Sequence, residues 1–477
     1  MLRSNTYLLI LIGILCAGFF SISCSDSYIN NVKRGGWYEY TAGFPELRLS
    51  TTRYYNEQGI PIINVSGDVV YGGLIYKQND DGDLQADITI DIVITDIEED
   101  KLVAENSFSE SLTSEKNSVI YSQDLFRFTE LFEVNPGEYE IMVTVTDVNS
   151  EKQMVRTSTA NIEDIDEKIV SISEVQIFGK ETSVDGAEFV PVTTYDVPAN
   201  LDSLKFMIQV NNSTGFPINI RSNLKKFYAD TTIAWPMSIQ NYPRSSIRYQ
   251  GIEYDEFEIL QSGSRTINQN GYIFIEYSYG ELDLGNYRLE IFIEGEHGLR
   301  TEGGREFGIK PEFYPAVKTT RQMAEPLAYI MTDKEYEQLM SIENEDSLKM
   351  AMDRFWLSNI KNSNLAEEVI SLYYHRVEEA NKQFSNYKEG WKTDLGMVYI
   401  LFGPPWSVND VFNSRVILSY TYNLDDPERN YLFRVSDIKG KYFPFDNYIL
   451  QRKIYYHTLE YRQKQRWRTG SILTVDL

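Results

Sequence analysis

The chain is poor in the residues on which most catalytic and metal chemistry depends. It holds three histidines and two cysteines among 477 residues. That is too few for zinc fingers, a disulfide scaffold or most imidazole-centred mechanisms. Basic residues are scarce as well: 45 Lys and Arg stand against 70 Asp and Glu, a formal net charge of −25. So negative a surface repels phosphate, which excludes nucleic acid as a partner. Nucleotide and hydrolase signatures are missing too, with no P-loop, Gly-x-Gly-x-x-Gly, Gly-x-Ser-x-Gly or His-Glu-x-x-His. His297, His375 and His457 have no His or Cys at metal-ligand spacing, so no metal and no cofactor is expected. Asn79-Asp80-Asp81-Gly82-Asp83 mimics a calcium loop, but its glycine would put Lys77 at the first ligand position, and the stretch reads as a hairpin turn.

The one long apolar run is N-terminal. It extends from Tyr7 to Phe20 behind the lone charge of Arg3 and ends in Ser21-Ile22-Ser23-Cys24. A charged start, a mid-length apolar core and small residues before a break describe a secretory leader, and the run is shorter than the roughly 20 residues a membrane span needs. Its end resembles a bacterial lipobox, with Ser21 where Leu is commonest. Cleavage there removes Cys16 and leaves Cys24 as the sole thiol, which lipidation would explain. The expectation is a leader over 1–23, a lipidated linker over 24–37, and a protein held to a cell-envelope membrane through Cys24, facing the periplasm or the surface.

Composition is that of a folding protein, 42% apolar and 24% charged, and the length calls for several domains. Residues 38–309 read almost wholly as strands. The runs 86–94 and 138–146 alternate in period two with β-branched residues on the apolar face. Gly137-Glu138-Tyr139 and Gly285-Asn286-Tyr287 each open an alternating strand that turns and returns, a repeat resembling the corner entry of immunoglobulin-like sandwiches. The fold class expected is therefore multidomain: two tandem antiparallel β-sandwich modules over 38–165 and 166–312, joined through acidic 161–168, then an α+β domain over 313–477.

In that last domain Thr332 and Glu335 form a capping box, and helices are expected over about 346–360 and 365–387. Gly390-Trp391-Lys392-Thr393-Asp394 leads into an apolar stretch closed by Gly403-Pro404-Pro405, read as a turn, a short strand and a second turn. Strands at 416–422 and 431–435 are expected as a hairpin on the same sheet.

Over about 315–440 the chain resembles the GWxTD domain of bacterial exported proteins and lipoproteins. Gly390, Trp391, Thr393 and Asp394 match its name-giving motif. Tyr399, Ile400, Gly403, Pro404 and Pro405 match its next strand and Gly-Pro-Pro turn. Phe355-Trp356 and the spacing of Arg376, Ala380, Asn381 and Phe384 match its helical half. Leu395 stands where the family often carries Arg, and Asn359-Ile360 where an Arg-Asp pair is common. The resemblance implies location and architecture, and no activity.

Two candidate surfaces emerge. Asp394, Trp391, Tyr399 and Arg376, with Gly396 allowing close approach, form a patch at a strand mouth; the scaffold reading has Trp391 plugging the core and Asp394 capping a turn. The stretch 451–468 is the one basic island, with Arg452, Lys453, Arg462, Lys464, Arg466 and Arg468 on an amphipathic helix that would meet an acidic partner, a glycan or headgroups, or simply balance the acidic body. Aromatics at 13%, 34 of them Tyr, suit contact with an envelope protein or glycan. The expected role is binding, scaffolding or assembly in the envelope, the alternative being a carboxylate-based hydrolase of an envelope or extracellular polymer.

Overall fold

The structure, a computed structural model, describes residues 40–41, 43–163, 170–411, 415–421, 429–436 and 441–474. The leader, Cys24, the linker and most of the acidic joint lie outside the described residues, as does the connection between the strands expected at 416–422 and 431–435.

The alternating runs are strands, as their period requires. The first region contains β1 (Leu47–Tyr55), β2 (Pro61–Val70), β3 (Lys77–Gln78), β4 (Leu84–Asp96), β5 (Lys101–Ser114), β6 (Leu125–Glu133), β7 (Gly137–Asp147) and β8 (Lys152–Ile162). Strands β1, β2 and β6 form one antiparallel sheet; β3, β4, β7 and β8 form another, with β5 also on β4. Ile90 faces Val145 and Ile92 faces Val143 across β4 and β7. Ile88, Ile90, Ile92 and Ile94 are fully buried on a core to which both sheets contribute. Each such burial is worth about 1.5–3 kcal/mol.

The second region repeats the plan with β9 (Val170–Ile172), β10 (Gln176–Lys180), β11 (Val190–Pro191), β12 (Asp196–Pro198), β13 (Ser203–Asn212), β14 (Ile218–Ala229), β15 (Ile252–Ile267), β16 (Gly271–Tyr279), β17 (Gly285–Glu294) and β18 (Arg300–Lys310). One sheet runs β11-β10-β13-β16 with β9 on β13; the other runs β12-β18-β17-β14-β15, and again both feed one core. The Gly-x-Tyr repeat has the same geometry twice. The Tyr139 hydroxyl donates to the Asn135 carbonyl at 2.8 Å, and the Tyr287 hydroxyl donates to the Asp283 carbonyl at 2.6 Å, each four residues back and each ahead of a hairpin. Asn79 accepts from the Asp81 and Asp83 amides, closing the turn between β3 and β4.

A long excursion between β14 and β15 carries the short helix α1 (Ile247–Gln250). The rest of the described chain is mostly helical: α2 (Thr320–Ala324), α3 (Asp333–Met340), α4 (Glu345–Asn359), α5 (Ser363–Phe384), α6 (Asp394–Phe402) and α7 (Tyr456–Thr469). The Thr332–Glu335 capping box starts α3 as expected. A small sheet, β19 (Ser407–Val411), β20 (Arg415–Ser419), β21 (Asn430–Val435) and β22 (Tyr448–Leu450), packs on these helices.

One expectation is overturned here. The apolar stretch after Asp394 is the helix α6, so the hairpin β20–β21 belongs to a sheet that does not contain it. Every residue of α6 is buried. A helix apolar all round shows no amphipathic period, and in a short run that pattern cannot be told from a buried strand.

Candidate functional site

The motif begins where α5 ends. Gly390 packs so closely that a Cβ there would run into the Ala380 carbonyl, and a Cβ on Gly396 would run into the carbonyl of Gly390. Only glycine lets the one-turn helix Gly390–Lys392 nest between α5 and α6. Thr393 is the N-cap of α6: its hydroxyl donates to Gly390 O at 2.7 Å and accepts from the Gly396 amide at 3.0 Å. Trp391 is buried, its amide on the Asn381 side chain at 3.1 Å and its carbonyl on the Tyr329 hydroxyl at 2.7 Å.

Asp394, the first residue of α6, faces Arg452. The guanidinium donates to both carboxylate oxygens, Nη1 to Oδ2 at 2.8 Å and Nη2 to Oδ1 at 2.7 Å, while Leu450 N donates to Oδ2 at 2.8 Å. Arg452 also donates to the carbonyls of Trp235 (3.1 Å) and Pro236 (3.2 Å) and to the Tyr242 hydroxyl (2.8 Å). Its backbone exchanges hydrogen bonds with the Asn241 side chain. Burial works to lower the Arg452 pKa, but Asp394 and Tyr242 outweigh it and leave it raised. Burial, with Asp394 beside it, raises that of Tyr242. The ion pair is therefore also the clasp that holds the β14–β15 excursion.

More bonds tie the second β region to the same turn. Lys388 reaches Asp230 at 3.3 Å and Thr232 O at 2.8 Å, Lys310 donates to Asn386 O at 2.7 Å, and Asn286 donates to Tyr387 O at 2.9 Å. Burial lowers the Lys388 pKa against the pull of Asp230. Ala234 and Met237 enter the helical core outright.

Residues 294–469 match the family model of the GWxTD domain. The match starts at the last residue of β17, so the family's own limits reach into the second β region. No curated protein matches the chain. Among solved structures it is similar to that of red sea bream transglutaminase, at 9% identity and a TM-score of 0.19, over 57% of this chain and 32% of that one. A likeness at that level carries no argument.

Within the GWxTD domain the sequence-derived patch does not assemble as expected. Asp394 lies at the buried N-terminus of α6, whereas Arg376 serves its C-terminus, donating to Ile400 O at 3.3 Å with its guanidinium 5.1 Å from the Trp467 ring. Gln463 and Trp467 donate to Leu401 O, so carbonyls left open by the helix end are met from α5 and α7. Gly403, at φ +86°, closes α6; its carbonyl accepts from the Tyr420 hydroxyl at 2.7 Å, and Pro404-Pro405 come next. Tyr399 instead donates to Glu379 at 2.6 Å, and His375 approaches the same carboxylate at 3.4 Å. Burial works to raise the Glu379 pKa, but His375 and Tyr399 bring it below its usual value.

The basic island is corrected as well. Arg452 precedes α7 and is fully buried, so it is no surface charge. Arg468 grips Glu335 at 2.7 Å through both terminal nitrogens, Lys464 pairs with Glu460 at 2.9 Å, and Arg466 bonds Gln463. Arg462 is exposed and Lys453 is half-buried.

Asp230, Tyr242, Glu379 and Lys388 all went unnoticed in the sequence. A run with Trp235, Pro236, Tyr242 and Pro243 inside a strand-rich region was the available signal, since aromatic and proline residues in a long excursion suggest a docked segment. Among the described residues no group of three His, Cys, Asp or Glu is placed to hold a metal ion.

Proposed function

We propose that the protein is a lipid-anchored component of a bacterial cell envelope with a binding, scaffolding or assembly role, its β regions acting as immunoglobulin-like spacer and recognition modules. The observation that carries the reading is the use made of the motif: Thr393 and Asp394 are spent on internal bonds and Trp391 on the core. Recognition then falls to outward-facing β surfaces. The paired tyrosine corners and the two-sheet cores support the immunoglobulin-like assignment. The proposed domain limits are 38–165, 166–312 and 313–477; the separate main cores of the three regions support them, although Ala234 and Met237 of the second pack into the third. A hydrolase would need two acids facing a cleft, whereas Asp230, Glu290, Glu389, Asp394 and Glu460 each pair with a cation.

Anchoring rests on the lipobox-like end of the leader and the single remaining thiol. No described helix is long and apolar enough to cross a membrane. The test is mass spectrometry of the mature N-terminus with fractionation of Cys24→Ser. A thioether-linked lipid on Cys24 and release of the variant to the soluble fraction are expected; an intact leader, or a variant that stays with membranes, would overturn the proposal. The partner expected is an envelope protein or glycan, and a chain that cross-links to neither in its own envelope would remove the scaffold role.

A further inference from the structure

The last strand of the β12-β18-β17-β14-β15 sheet, β15, has no neighbour on its outer side among the described residues. It is 16 residues long, and Asp255–Thr266 are exposed without a break, including Phe257, Ile259 and Leu260 at 37%, 50% and 39%. Among the described residues, no backbone group from 253 to 266 bonds to any element but β14. A bare edge of this length is a template for another strand and needs either a guard or a partner.

Its charge is arranged for one partner. Glu253, Asp255, Glu256 and Glu258 fill the first half, while Gln261 to Thr266 carry no acid and include Arg265. None of these five charges joins an ion pair among the described residues. A bulge divides the halves: Leu224 faces Gln261 and Lys225 faces Ile259, which leaves Leu260 unmatched, and a second irregularity between Phe227 and Ala229 leaves residues 253–256 without partners on β14. An antiparallel two-fold placed beside Leu260 sets the acidic half of one strand against the acid-free half of the other. Arg265 then lies across from the Asp255–Glu256 pair, twice. Parallel pairing in register would instead stack acid on acid.

We propose that β15 pairs with β15 of a second copy of this chain, joining two five-stranded sheets into one continuous sheet through an isologous contact. Main-chain hydrogen bonds supply the adhesion, the two halves supply the register, and the acids reject strands of other sequence. The charge pattern selects the occupant: a uniformly basic partner would match only half of the strand.

The test is disulfide trapping of the full chain under mild oxidation. Leu260→Cys is expected to give a dimer about tenfold above both the unsubstituted chain and Leu284→Cys, an exposed position away from the edge. Arg265→Glu should lower that yield about tenfold, and adding Glu256→Arg should restore it. Both are exposed, so an unchanged melting temperature accompanies them. Yield at Leu260→Cys no higher than at Leu284→Cys, a cross-link to a different protein, or indifference to Arg265→Glu would overturn the proposal.

Discussion

The two β regions meet the GWxTD domain in different ways. The first touches it through polar groups: Lys382 reaches Glu46 at 3.1 Å and Gln123 donates to Glu378 at 2.9 Å, while no described residue of the first β core enters the helical core. The second inserts an excursion into that core, is clasped by Arg452 and Lys388, and itself reaches Asn386 through Lys310. Polar contacts between separately built cores let each side unfold alone, whereas a shared apolar core and a buried ion pair make two pieces melt as one. The motif is thus the seam between the second β region and the helices, and its conspicuous residue types reflect close packing.

The sharpest way to break this contrast is Asp394→Ala, which leaves Arg452 charged and buried. It should cost about 3–5 kcal/mol, seen as a large fall in the melting temperature of the second β region together with the helices. Calorimetry should show the first β region melting where it did before. Gly396→Ala comes next, because its Cβ would meet backbone; about 1–3 kcal/mol is expected in the same transition. The paired tyrosines give a matched comparison. Tyr287→Phe and Tyr139→Phe each lose one hydrogen bond worth about 1 kcal/mol, the former lowering the joint transition and the latter only that of the first region.

The smallest effect belongs to a pair outside the seam. The Arg468 guanidinium beside Glu335 holds its carboxyl down at about 2 from an ordinary value of 4.5. A depressed folded value gives stability that is complete above pH 4.5 and lost as pH falls toward 2. The melting difference between the native chain and Glu335→Gln should therefore be present at pH 6 and shrink across that window.

Much of this organisation was legible in the sequence. Period-two runs gave the strands, the Gly-x-Tyr pairs gave the repeat, and Thr332 with Glu335 gave a helix start, because each is encoded by neighbours in the chain. The candidate site was readable only in its residue types. Asp394 and Arg452 lie 58 residues apart, and Tyr242 is 152 residues from Asp394, so nothing local announces their contact. The same distance hid the nature of Arg452, which looked like surface charge and is bound by Asp394, whereas Lys464 pairs with Glu460 only four residues away. Helix α6 misled for a different reason: it is buried on all sides, and its start is signalled only by Thr393 and the Asp394 that follows it.

The most direct test of the seam is hydrogen exchange on Arg452→Met compared with the native chain. Residues 230–251, 385–396 and 448–452 should lose protection together, with the strands of the first β region unchanged. Loss confined to 448–452, with the excursion and the motif turn still protected, would contradict the account.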